Sequence, residues 1–503
     1  MSEASLSPAS IAALREAVLK GHEPRPAEFF TRLAGYRWIV VATVCIGSFM
    51  GQVDSSITQL LLPRLEHEFG ARLSTVSWVA VAYLLAMAAF LPIFGRLADM
   101  VGRKLLYTIG FLLFMLGSGA CGLAPDLPVL IGFRVVQAIG AALLSSNSVA
   151  IIVMTAGEDR RGRALGIQSA AQAVGLGAGP AIGGLVMDTL GWQWVFWINV
   201  PFGLAGAVIG WFVIPQTTTL PSDHRFDWTG ALLIVPALTA LMTVLNEGHA
   251  WGTTSPAFLA ALVLAVVLLA LFVRTERHAP APLVDLALFR QGGFASGNIA
   301  GLMAWAALFG LFFLMPFVFI RAYGDSALVA GLRLSIVPAL LGAAAPIGGV
   351  LYDRVGARVV TVAGMLICVA ALALLFGVLD GQPGSLPVVM LALAVFGIGQ
   401  GLFISPNNSA IMAAAPPQLT GEAGGLLNVM RSIGTSVGIA GASSLLAWRL
   451  QSLTGQGGTT HAPADALLSA SHDVIVLLGA FAAVAGVVSL MEGRKDSALN
   501  RAR

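Results

Sequence analysis

Charge is what this chain has least of. Asp, Glu, Lys and Arg make up only 11% of its 503 residues, against 57% hydrophobic, and the mean hydropathy is +0.85. That leaves too little polar surface to cover a soluble globule and implies a polytopic membrane protein. Cysteine is scarce too. Cys45, Cys121 and Cys368 each fall in an apolar stretch, in no arrangement that suggests a disulfide or metal site, and read as small packing residues. All seven histidines fall in predicted loops or tails, which excludes an intramembrane His-ligated metal or haem centre. No P-loop and no nucleophile or cofactor constellation stands at membrane depth. ATP-driven transport and membrane-embedded catalysis therefore both lack their parts, and the expectation is a non-enzyme with no cofactor.

What the chain does have is long apolar runs. Segments of about 20 residues bounded by charged or Pro/Gly-rich punctuation predict fourteen spans, near 37–62, 75–95, 104–123, 127–154, 163–188, 192–214, 228–246, 255–273, 294–320, 326–350, 357–379, 385–413, 421–447 and 472–491. Cations sit on one side of them. With the N-terminus inside, the outer loops hold only Arg64, Arg72, Arg321 and Arg449, while Arg96, Arg103, Lys104, Arg160, Arg161 and Arg163 fall among the many inner ones. Lys/Arg-rich loops stay in the cytoplasm, so both termini are expected there. Residues 1–36 lack a signal-peptide core and read as a cytosolic tail with one short amphipathic helix near Ile11 to Leu19.

Two blocks recur in the same order. Gly95-Arg-Leu-Ala-Asp99-Met-Val-Gly102-Arg103-Lys104 is echoed by Gly349-Val-Leu-Tyr-Asp353-Arg-Val-Gly356-Ala357-Arg358, 254 residues on. Arg161-Gly162-Arg-Ala164-Leu-Gly166, with Gly175 and Gly179, is echoed 259 residues on by Thr420-Gly421-Glu-Ala423-Gly-Gly425, with Gly434 and Gly438. Similar offsets argue for a duplicated six-span unit. The expected division is a tail over 1–36, a bundle over 37–214, a linker with two extra spans over 215–293, a second bundle over 294–491 and a tail over 492–503.

One carboxylate stands deep in the first span. A charge at bilayer depth costs about 2.5–3.5 kcal/mol or more and usually faces a cavity or partner. Asp54 is thus the candidate proton carrier, or else a structural carboxylate held by a fixed cation. Gln52, Ser55, Ser56 and Gln59 share its helical stripe and are expected to line a cavity. Arg134, with Gln137 three residues on, is the natural partner in the fourth span, although packing at a helix interface also explains it. Arg333 and Arg431 also fall in spans without an obvious acidic neighbour, and snorkelling is the simple reading of Arg431. Trp305, Phe309, Phe312, Phe313, Met315 and Phe317 form a stripe suited either to bulky apolar cations and neutral aromatics or to lipid and core packing. Asn147, Asn298, Asn407 and Asn428 either contact substrate or bond helix to helix.

The turn Gly95 to Lys104 reads as a short basic turn, or as a breakable latch in which Asp99 faces a helix N-terminus. Its pattern G-R-L-A-D-x-x-G-R-K resembles the signature loop of the major facilitator superfamily. The resemblance implies an all-α fold of two six-helix bundles rocking about a central cavity, with Asp99, Arg103 and Lys104 stabilising the outward-facing state. Ala357 replaces the arginine of the second copy, beside Asp353, and implies a weaker latch. Gly175, Gly179 and Gly183 at four-residue spacing make a close-packing face, and with Pro180 and Gly184 the segment resembles the superfamily's antiporter motif. Trp192-Gln193-Trp194 through Asn199-Val-Pro201 resembles the fourteen-span drug:proton antiporters of the QacA/EmrB type, with Gln193 for the usual arginine. Val53-Asp54-Ser55-Ser56-Ile57 and Arg134-Val-Val-Gln137-Ala138 are similar to further blocks of that family, with Ser56, Gln59 and Ala138 departing from its pattern. As headgroup-level anchors the tryptophans need no family explanation.

These readings converge on a proton-coupled secondary active exporter of amphipathic drugs, dyes or antibiotics, and the resemblance implies that it sits in a bacterial inner membrane. Its expected partners are the small-molecule substrate, protons and the lipid bilayer, without nucleic acid, and no signature for a periplasmic adaptor is legible. The rivals are a proton-coupled transporter dedicated to one metabolite or natural product and, from another class, a membrane-embedded enzyme.

Overall fold

In hydrocarbon an unpaired backbone N–H or C=O costs several kcal/mol, so an apolar run closes its hydrogen bonds upon itself as a helix. The computed structural model describes residues 23–217, 227–252, 254–280, 282–416 and 419–491. The amphipathic helix expected near residues 11–19 and the tail 492–503 lie outside them. Fourteen long helices follow in order: α1 Tyr36–Phe69, α2 Leu73–Val101, α3 Arg103–Cys121, α4 Leu127–Ala156, α5 Arg161–Thr189, α6 Trp194–Val213, α7 Trp228–Trp251, α8 Pro256–Glu276, α9 Phe294–Ala322, α10 Ala327–Val355, α11 Ala357–Val378, α12 Leu386–Ala414, α13 Thr420–Thr454 and α14 Ala464–Ser489. Thirteen are long and apolar enough to cross a membrane. The other, α13, has ample length but carries Gly, Ser, Thr and two arginines along its faces.

Helix boundaries follow local chemistry. Asp126 caps α4 by accepting from the Val129 amide at 2.8 Å, with Pro128 in the first turn, and Ser255 and Ser326 cap α8 and α10 in the same way. The α2–α3 and α10–α11 turns each hinge on one glycine, Gly102 at φ 118° and Gly356 at φ 83°, a backbone open to glycine. These are the two copies of the recurring loop. Several boundaries differ from expectation, among them α2, α7 and α13, which run five to seven residues past their expected ends to Val101, Trp251 and Thr454. Helix α1 runs seven residues past 62 because Pro63 is accommodated inside it, and α14 starts eight residues before 472 because Leu467, Leu468 and Ala470 turn one apolar side inward. Helix α9 ends in a π-helical turn, Val318–Ala322, just after Pro316, and α10 breaks at Ser335, where Pro338 cannot donate back to Leu334. His67, His249 and His472 thus lie inside α1, α7 and α14, where loop positions were expected.

The small-residue face of α5 sets how closely helices approach. A Cβ on Gly175 would sit 2.7 Å from the Phe49 carbonyl oxygen, one on Gly183 2.9 Å from Ile57, and one on Gly179 would strike Ser56. Gly175, Gly179 and Gly183 therefore press α5 onto α1, while Pro180 and Gly184 meet Gly331 and Ala327 of α10 in the other half. Gly434 and Gly438 press α13 onto Leu302 and Ala306 of α9 in the same manner. The fold is two six-helix bundles, α1–α6 and α9–α14, with α7 set against the α2–α13 seam and α8 outside it, exposing Leu259, Val263 and Val266.

The bundles are tied at the end of the molecule where arginine is sparse. There Glu66 accepts from the Thr459 amide at 2.6 Å and from its hydroxyl, the Leu328 amide donates to Asp188 at 2.9 Å, and Arg321 donates to the Pro63 carbonyl at 3.3 Å. Asn246 of α7 joins this end through Ser77 and the Ser74 carbonyl, each at 2.8 Å.

Candidate functional site

Asp54 and Arg134 come from α1 and α4 and meet in the middle of the first bundle. Arg134 Nη1 lies 2.7 Å from Asp54 Oδ2 and also donates to Gln137 Oε1 at 2.7 Å, while Gln137 Nε2 donates to Asp54 Oδ1 at 2.8 Å. Arg134 Nε donates to the Val79 carbonyl at 3.0 Å. Asn199 of α6 donates to Asp54 Oδ1 and to Ser118 Oγ, both at 3.1 Å, and Ser118 donates to the Phe196 carbonyl at 2.8 Å. The guanidinium rests 4.2 Å from the Tyr83 ring centroid and 5.7 Å from that of Phe196. Asp54 is 3% exposed and Arg134 1%. Such a pair survives burial because its polar atoms find partners; removing one member costs about 3–5 kcal/mol.

Ser55 and Tyr83 separate this cluster from a cavity between the bundles. Its walls are built from α1, α2, α3, α4, α5, α9 and α13. Ser145, Ser148 and Val149 of α4 and Gln168 and Gln172 of α5 line it, which carries it from mid-depth toward the arginine-rich end.

Of the expected cavity residues, Gln52, Ser55, Trp305, Phe309 and Asn428 line this space. The others do not. Gln59 lies further along α1, buried where the bundles close, and Phe312 is buried behind Phe309 at 5.5 Å between ring centroids. Asn147 and Asn298 turn their amides onto their own helix, to the Leu143 and Phe294 carbonyls at 2.8 and 2.9 Å, and Asn407 reaches the Gly297 carbonyl of α9 at 3.2 Å. Gln137 belongs to the ion pair. Of the expected interfacial tryptophans, Trp194 is exposed but Trp192 is buried edge-on against Phe69 at 5.7 Å.

Three things escaped the sequence reading. Asn199, quoted only inside a motif, completes the shell of Asp54, and a lone amide near a span end was its signal. Arg333 does have an acidic partner, Asp325 at 3.1 Å, eight residues upstream across the cap of α10. Arg431 is no snorkelling residue: it lines the cavity with its guanidinium 5.5 Å from the Trp305 ring.

The recurring loop makes contacts of its own in this arrangement. Asp99 pairs with Arg103 of its own loop at 2.7 Å, and Arg103's amide donates to Thr217 at 2.8 Å. Lys104 is buried and donates to the Pro24 carbonyl at 2.7 Å, beneath the Trp211 ring. Glu23 accepts from the Leu105 amide at 3.0 Å and the Thr217 amide at 2.8 Å, capping α3 from the N-terminal segment. Gly95 lies inside α2, which runs on to Val101 before breaking at Gly102, and Asp353 of the second copy is exposed.

Two six-helix bundles around a polar cavity, with an inserted helix pair, define a multi-pass membrane transporter. The chain belongs to the Major Facilitator Superfamily, whose sequence profile matches residues 44–439. It is 33% identical to the riboflavin transporter RibZ of Clostridioides difficile (strain 630) over 83% of this chain and 89% of that protein. It is 34% identical to the multidrug resistance protein Stp of Mycobacterium tuberculosis (strain CDC 1551 / Oshkosh), over 80% of this chain and 74% of that one. The tetracenomycin C resistance and export protein of Streptomyces glaucescens is 31% identical over 83% of this chain and 77% of its own. Resistance and export proteins among the relatives agree with the drug:proton antiporter resemblance. A crystal structure of a bacterial homologue of the human lysosomal transporter Spinster shares the fold, with a TM-score of 0.66 at 15% identity over 91% of this chain and 97% of that one.

Proposed function

We propose that this transporter is a proton-coupled exporter of amphipathic small molecules in the inner membrane of a bacterium, with both termini cytoplasmic. The observation that carries the reading is the sealed Asp54–Arg134–Gln137–Asn199 cluster beside the cavity. Protonating Asp54 removes the one carboxylate that holds Arg134. A buried cation without its counter-ion costs several kcal/mol, enough to shift a two-state equilibrium between bundle arrangements by orders of magnitude. Proton arrival and rocking are thereby linked through one residue pair.

The arginine-rich end is the cytoplasmic one by the positive-inside rule. With the opposite end tied by Glu66–Thr459 and Asp188–Leu328, the cavity is reached from the cytoplasm, the side from which an exporter loads. The likeness to Stp and to the tetracenomycin C protein supports efflux. The likeness to RibZ supports a second reading, a carrier dedicated to one metabolite.

In proteoliposomes with an imposed pH gradient, substrate addition is expected to release protons in the wild type and to release none in Asp54→Asn. Undiminished uphill transport by Asp54→Asn overturns the coupling.

A further inference from the structure

Arg431 is the one charged side chain among the residues that line the central cavity. Other arginines in or beside the helices have acidic partners: Arg134 with Asp54, Arg333 with Asp325, Arg449 with Asp473 and Arg103 with Asp99. The Arg431 guanidinium makes no hydrogen bond or ion pair among the described residues, and its ring contact is with Trp305, at 5.5 Å. It is partly exposed, to the cavity, and Asn428, Ser432 and Thr435 flank it on α13. The rest of the polar lining is neutral: Gln52, Ser55, Gln168 and Gln172 offer amides and hydroxyls. Asp54 is consumed by Arg134, Gln137 and Asn199 and sealed behind Tyr83.

An unpaired guanidinium facing a low-dielectric cavity is a poor place for a cation and a strong one for an anion. Its planar fork matches a carboxylate or similar oxyanion, and its charge is permanent. Beside it, Trp305 and Phe309, 6.0 Å apart, present an aromatic wall for a flat ring system. We propose that Arg431 binds an acidic group of the cargo, so that the preferred substrates are aromatic or conjugated acids carried as anions, not cationic drugs. The proposal deepens the exporter reading in that it takes the central cavity as the substrate site, and it reverses the affinity for bulky cations expected from the aromatic stripe.

The test uses the full-length protein in phosphatidylcholine nanodiscs and three pyrene probes that differ only in a terminal carboxylate, hydroxyl or trimethylammonium, with binding to empty nanodiscs subtracted. The wild type is expected to bind the carboxylate probe at least tenfold more tightly than the ammonium probe. Arg431→Gln is expected to bring the carboxylate probe down to the level of the hydroxyl probe, and Arg431→Lys to keep most of the preference. A wild type with no preference for the carboxylate overturns the proposal, as does Arg431→Gln with an unchanged ranking. In nanodiscs containing phosphatidylglycerol the preference is expected to persist; its loss there identifies a lipid headgroup as the occupant and overturns the substrate assignment. Binding needs no gradient. Failure of proton coupling appears in the Asp54→Asn transport assay and leaves this ranking intact, so the two failures are distinguishable.

Discussion

A single proton on Asp54 changes the charge balance of a site that contains no solvent-exposed escape for Arg134. The pair touches five helices through Val79, Ser118, Gln137 and Asn199, so its loss is felt structurally as well as functionally. Asp54→Asn and Arg134→Met each leave one uncompensated buried partner, and each is expected to cost about 3 kcal/mol or more, read as a lowered Tm in detergent. The double variant removes both charges and is expected to regain most of that stability without regaining coupled transport. A double variant no more stable than either single one contradicts the ion-pair account. Asn199→Ala leaves Asp54 one donor short and is expected to cost about 1–3 kcal/mol by the same measurement.

At the scale of elements, two contacts hold helices where the site needs them. Glu23 caps α3 and, with Pro24, keeps Lys104 buried; Glu23→Ala is expected to cost about 0.5–2 kcal/mol and to make a cysteine at position 104 reactive to maleimide in the Glu23→Ala background but not in the wild-type background. The second contact is the seam where Gly331 of α10 meets the Pro180 carbonyl of α5. Gly331→Val has no room there, and overpacking costs about 1–3 kcal/mol. Because this seam joins the two bundles, the variant is expected to fold, yet to favour an arrangement open at the arginine-poor end. Faster labelling of a cysteine at Ser145 by an impermeant reagent added outside whole cells checks this.

The whole molecule is held by bonds concentrated at one end. Glu66 on α1 shares its helix with Asp54 and reaches across to Thr459 in the second bundle, so α1 links the buried acid to the tie between bundles. Breaking it with Glu66→Gln and Thr459→Val together is expected to shift the population in the same direction as Gly331→Val, by the same labelling assay, and to leave the wild-type ranking of pyrene probes unaltered. Unchanged labelling shows that other contacts close that end.

The sequence by itself determined what depends on composition and local spacing. Low charge and fourteen apolar runs required helices that satisfy their own backbone in lipid, the asymmetry of arginine marked two ends, and paired loops at Gly102 and Gly356 marked two halves. A carboxylate alone at mid-span made Asp54 conspicuous, and Arg134 was the natural cation to meet it. Tertiary structure decided what depends on which helix face turns where. Gln59, Asn147, Asn298, Asn407 and Phe312 share the polarity or aromaticity of the cavity residues but are buried between helices, while Arg431 turns into the open space. Asn199, Asp325, Thr459 and Glu23 found their partners across chain separations or between helix ends. Neutralisation of a buried charge is a property of three-dimensional neighbours, which is why the unpaired guanidinium of Arg431 became legible only in the folded chain.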